Sequence, residues 1–84
     1  ENYKMQNVLL LKTFPNPTKD FVNIETSTSV ELKIFDLLGC QVFTSVFDQG
    51  THKLGLHFLN NGTYFVVGSN GRNKIVLKLL KISE

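Results

Sequence analysis

Apolar residues recur at every second position along almost the whole of this chain, and that periodicity limits its fold more than any other feature. In VELKIFD, Val30, Leu32 and Ile34 fall on one side while Glu31 and Lys33 fall on the other. In THKLGLHF, Leu54, Leu56 and Phe58 share a side opposite Lys53 and His57. In RNKIVLKLLKI, Ile75, Leu77 and Leu79 oppose Lys74, Val76 and Lys78. A helix would scatter these sets around its circumference, whereas a half-buried strand aligns them.

Turn residues separate the alternating runs: Asp36–Gly39, Asp48–Gly50, Asn60–Gly62 and Asn70-Gly71. Asn70-Gly71 suits a tight hairpin because both residue types tolerate positive φ, and Gly39 is expected to supply a positive φ to its own turn. Strands are therefore expected at about 7–13, 20–26, 30–36, 40–47, 51–57, 63–69 and 72–82. Seven short strands suited to antiparallel pairing, with no helix, predict an all-β, immunoglobulin-like β-sandwich. GTYFVVGS is apolar on both sides and reads as a central strand covered on both faces, with a partner on one face as the alternative. Residues 1–84 read as a single domain, without repeats or low-complexity tracts.

At 84 residues the core must be thin. A chain of this size buries a little over ~60% of its unfolded surface, for a stability of roughly 4–12 kcal/mol. Hydrophobic residues at 42% and charged residues at 19% exclude a disordered tail. The net charge of +2 is spread over single basic residues and lacks the clustered footprint of a nucleic-acid partner. Arg72, Lys74, Lys78 and Lys81 read as the solvated face of a strand. No apolar run approaches the ~20 residues that span a bilayer. No secretory leader is visible and the chain begins at Glu1, so it reads as a piece of a longer protein.

Catalytic chemistry is sparse. His52 and His57 lie five apart on one expected strand, on opposite faces, and cannot converge on a metal. Cys40 is a lone cysteine after a turn glycine, read as a small buried or edge residue with no base beside it. Asp20, Asp36 and Asp48 sit at turns, where aspartate accepts backbone hydrogen bonds. No phosphate loop, zinc spacing or calcium loop is present, and the expectation is a protein that is not an enzyme and has no cofactor. Asn61-Gly62-Thr63 matches a glycosylation sequon but reads first as turn chemistry. Pro15 and Pro17 fix φ and cannot donate to a ladder, so one strand must end before Pro15 and the next begin after Pro17. Leu59, Gly62 and Tyr64 form L-x-x-G-x-Y, the pattern of a tyrosine corner whose hydroxyl reaches upstream backbone.

Four stretches taken together, FPNPTKDFVNI (Phe14–Ile24), VELKIFDLLGCQV (Val30–Val42), LGLHFLNNGTYFV (Leu54–Val66) and KIVLKLLKI (Lys74–Ile82), carry a family likeness. In their order and spacing the chain resembles the type A C-terminal sorting domain of cargo exported by the type IX secretion system of Bacteroidetes. The resemblance implies a non-catalytic immunoglobulin-like domain fused after a cargo. It implies passage through the periplasm, recognition by the type IX translocon and shuttle proteins, and delivery to the cell surface or medium. It also implies removal by a sortase-like surface protease, with the polar segment 1–7 as linker and cleavage region.

By the same resemblance, Pro15, Asn16, Pro17, Gly39, Gly62, Tyr64, Lys78, Leu79, Leu80, Lys81 and Ile82 are the sorting and recognition residues. The sequence departs from the family at Cys40, where a basic residue commonly follows the turn glycine, and at Asn60, where proline is frequent. Val76, Leu80 and Ile82 are expected on the face opposite Ile75–Leu79, where an apolar, lysine-flanked strand could join a partner sheet or fill a groove. Removing Lys78–Glu84 is expected to abolish export and leave most of the sandwich folded. The alternative function is an immunoglobulin-like accessory module of a secreted enzyme that binds carbohydrate or mediates adhesion. Whether exposed edge strands pair weakly between copies stays open at this level.

Overall fold

The alternating runs do form strands. A computed structural model describes residues 8–83 and contains β1 (Leu11–Phe14), β2 (Phe21–Thr26), β3 (Val30–Phe35), β4 (Gln41–Phe47), β5 (Gly50–Gly55), β6 (Gly62–Ser69) and β7 (Lys74–Lys81). The segment expected as linker and cleavage region, 1–7, lies outside the described residues. All strand pairs are antiparallel, in a three-stranded sheet β1-β2-β5 and a four-stranded sheet β4-β3-β6-β7. Constant-type immunoglobulin domains keep the fourth strand with the first sheet; here it pairs with the third strand instead.

The core lies between the sheets and is built from the inward parity of each strand. Val22 and Ile24 of β2 face Val30, Leu32 and Ile34 of β3, joined by Tyr64 and Val66 of β6 and Leu79 of β7. Leu9, Leu11, Leu56 and Leu59 close its ends. Packing is tight at one point: a Cβ on Gly68 would fall 2.5 Å from Leu11 Cδ2 and 3.2 Å from Val30 Cγ2, so a side chain there would force Leu11 to shift.

Four expectations change. The alternation in THKLGLHF does not continue to Phe58: β5 stops at Gly55, Leu59 N–H donates to Leu56 C=O, and the resulting turn leaves Phe58 exposed. Only one face of β6 is covered; Phe65 stays 36% exposed on the other, so a strand apolar on both sides is not thereby buried on both. The Asn70-Gly71 turn draws positive φ from Gly71 alone, at +90°. Asn70 instead accepts Arg72 and Asn73 N–H on its Oδ1, so its side chain does the work expected of its backbone. Finally, Lys81 is buried, at 5% exposure, because it shares the inward parity of Leu77 and Leu79. Cys40 is exposed, immediately before the edge strand β4.

Candidate functional site

Chain direction sorts the loops into two poles. Residues 27–29, 48–49 and 70–73 lie at one, together with the incoming Val8–Leu10, which is pinned to Ser27: Leu10 N–H donates to Ser27 Oγ, Ser27 Oγ to Val8 C=O, and Ser27 N–H to Leu10 C=O. The opposite pole collects 15–20, 36–40, 56–61 and the end of β7. All the sequence-predicted recognition residues lie at or beside this second pole.

The Pro15-Asn16-Pro17 bend explains itself here. Both X-Pro peptides are cis, and the bend carries the chain from the end of β1 across to the free edge of β7. There the Asn16 side chain stands in for a peptide group: Nδ2 donates to Lys78 C=O (3.0 Å) and Oδ1 accepts Leu80 N–H (2.9 Å). The backbone takes over two residues later, as Thr18 N–H donates to Leu80 C=O (2.9 Å) and Ile82 N–H to Thr18 C=O (2.8 Å). This is a short parallel bridge, Thr18 to Lys81, in an otherwise antiparallel fold. Prolines suit both flanks because they offer no competing N–H and hold the backbone extended. Thr18 is itself buried, its hydroxyl donating to Phe21 C=O.

A second asparagine repeats the device on the turn before β6. Asn61 Nδ2 donates to Ser83 C=O (2.7 Å), and Asn61 Oδ1 accepts both Ser83 N–H and Ser83 Oγ–H (3.0 Å each). The sequon nitrogen is thus engaged within the fold. Gly62 follows at φ +152°, a conformation L side chains rarely adopt, and turns the chain into β6. Two residues on, Tyr64 is buried and its hydroxyl donates to Asn60 C=O (2.7 Å), the upstream bond of a tyrosine corner. Tyr64→Phe keeps the ring and removes only this bond, so it should lower stability by about 0.5–1.5 kcal/mol in chemical denaturation.

Within β7 the predicted residues divide by parity. Leu79 is fully buried and Lys81 points inward, its stem packed in the core end and Nζ donating to Ser83 Oγ (3.0 Å). Lys78 is exposed, Leu80 half-buried and Ile82 45% exposed. With Val76, at 56% exposure, Lys78 and Leu80 form an outward row on the uncovered face of the four-stranded sheet. Gly39, at φ +87°, stands apart in the β3–β4 turn, where Asp36 Oδ1 accepts Leu38 and Cys40 N–H (2.9 Å each). That turn shares a shallow groove with Asn61–Tyr64, and Leu37 and Leu38 project from it. The structure therefore joins the bend, the Gly62–Tyr64 corner and Lys78–Ile82 directly, and Gly39 only through its turn. Thr18, Asn61 and Ser83 are members that sequence reasoning did not assign to the site.

Among the described residues, no group of three or more His, Cys, Asp or Glu is placed to hold a metal ion. Among the same residues, no helix is long and apolar enough to cross a membrane. What the pole presents is the end of β7, tied by hydrogen bonds to Asn16, Thr18 and Asn61 and bearing an outward side-chain row.

The profile of the family described as "Secretion system C-terminal sorting domain" matches residues 12–82. The chain belongs to that family. The matched span runs from within β1 to just past β7, and of the clasp formed by Asn16, Thr18, Asn61, Ser83 and the end of β7 it includes every member except Ser83. The family is that of type IX secretion C-terminal sorting domains, signals for export across the outer membrane to the surface or beyond, and generally non-catalytic. Comparison with curated proteins gives no match.

Proposed function

We propose that this domain is a non-catalytic address for a cargo fused ahead of it, read by type IX machinery through the outward side chains of β7. Passage through the periplasm, binding by the translocon and shuttle proteins, and removal by a sortase-like surface protease complete the reading. The family match across residues 12–82 carries it. The pole geometry supports it: the chain comes in at Val8–Leu10, and Lys78–Ile82 lie at the far end, where a preceding domain would not cover them.

The fold also bears on how such recognition would work. Lys78 C=O, Leu80 N–H and C=O, and Ile82 N–H are already taken by Asn16 and Thr18, so a partner strand adding there would have to displace the bend. Side-chain recognition needs no such displacement. Fusing residues 1–84 to a periplasmic reporter in a type IX-competent strain should export the reporter. Val76→Ser combined with Lys78→Glu changes only exposed positions and should leave stability within about 0.5 kcal/mol. The same pair should cut export by at least about tenfold, as removal of interface anchors does. A wild-type fusion held in the periplasm refutes the address; normal export of the double variant refutes the β7 row.

A further inference from the structure

The sandwich has four edge strands, and three of them are blunted. β7 carries the Asn16–Thr18 bend along its end and lysines at Lys74 and Lys78 beside Val76. β1 is four residues long, contains Lys12 and ends at Pro15. β5 is bounded by Gly50 and Gly55 and carries Lys53. β4, QVFTSVF, has no charged residue, no proline and no glycine, and among the described residues no strand pairs with its outer side. A bulge at Val42, where Ile34 pairs with Phe43 but Phe35 with Gln41, disturbs only its first two residues. Five regular residues, Phe43–Phe47, stay available. Long, uncharged, β-branched and aromatic edges are the ones that recruit another strand.

We propose that β4 is a self-pairing edge and that its occupant is β4 of a second copy of this chain. The composition makes the match. An antiparallel pair centred on Ser45 sets Phe43 against the other copy's Phe47, Thr44 against Val46, and Ser45 against itself. Side-chain parity is preserved: Phe43, Ser45 and Phe47 are half-buried on the core side, while Thr44 and Val46 face out, Val46 at 67% exposure. Two aromatic pairs form on the core side, no like charges meet anywhere in the five pairs, and half-exposed rings are buried. Phe43 already rests on Phe58 (5.7 Å between centroids) and Phe47 on His52 (5.1 Å), so both rings are held in place before pairing. The result is a two-fold dimer with one continuous eight-stranded sheet, closed because the same edge is used by both copies.

Sedimentation velocity on the full chain from about 10 µM to 1 mM tests this, the range in which a weak interface shows itself. The wild type should pass from monomer to dimer. Thr44→Lys with Val46→Lys sets lysine against lysine at both outward pairs and should weaken the dimer by about tenfold or more. Thr44→Glu with Val46→Lys sets opposite charges together in this register only and should restore it. Both variants alter outward positions, and thermal unfolding of dilute samples verifies the fold. A wild type that stays monomeric throughout overturns the proposal. So do two charge variants that behave alike, or a Val76→Lys change on β7 that disrupts the dimer as strongly.

Discussion

A chain ending at Leu77 should not fold: it should give no cooperative unfolding transition and a circular dichroism spectrum without the sandwich signature. The sequence favoured the opposite outcome, because a terminal strand looks detachable. In the structure, the removed residues include Leu79, fully enclosed between the sheets. Loss of a buried leucine side chain alone costs about 2–5 kcal/mol, a large part of the roughly 4–12 kcal/mol that a domain of this length holds. The same cut removes half of the β6–β7 register, from Phe65↔Lys78 to Gly62↔Lys81. It also orphans the Asn16 and Asn61 side chains and the Thr18 backbone, whose partners lie beyond Leu77. Loss of export after such a truncation would therefore report unfolding, and only substitutions on the outward row isolate recognition. A truncated chain with a native-like melting transition would show that β7 is dispensable and that the clasp contributes little.

The strands were legible because alternation is local: Val30, Leu32 and Ile34 can be told from Glu31 and Lys33 without knowing what they pack against. The tyrosine corner was legible for the same reason, since Asn60 and Tyr64 are four residues apart. The charge of Lys81 argues for solvent, but its odd number groups it with Leu77 and Leu79, and position prevails. Phe58 keeps the alternation in sequence but lies beyond the strand end at Gly55, in a turn where parity no longer sets its side. Two-sided apolarity in β6 says which residues tolerate burial, not which faces the fold covers.

The clasp was the least legible part. Asn16 meets Lys78 and Leu80 across 62 and 64 residues, and Asn61 meets Ser83 across 22. A side-chain amide serving as a peptide surrogate has no periodicity and no fixed spacing. The available clue was a polar residue locked between two prolines, neither of which has an N–H to offer its oxygen. The family resemblance picked out the bend and the terminal strand separately; the structure shows that they are one element held together by hydrogen bonds.

That unity makes Asn16 the most informative single position. Asn16→Ala strands Lys78 C=O and Leu80 N–H, and because the site is exposed, water replaces part of what is lost. Each bond contributes about 0.5–1.5 kcal/mol net, so the expected loss is about 1–3 kcal/mol. Asn16→Asp should cost at least as much: it keeps an acceptor for Leu80 but turns a carboxylate oxygen toward Lys78 C=O, which cannot donate. Amide exchange distinguishes a local clasp from general weakening. Successive N–H groups along a strand point to opposite sides, and Leu80 and Ile82 point to the bend, so Leu79 and Lys81 point to β6. In Asn16→Ala, Leu80 N–H should exchange markedly faster while Leu79 and Lys81 stay protected. Equal acceleration at all three would mean that β7 frays as a unit and that Asn16 holds the strand as a whole. An unchanged Leu80 rate with unchanged stability would mean that the amide does not hold the terminus, and the case for a clasped signal would fail with it.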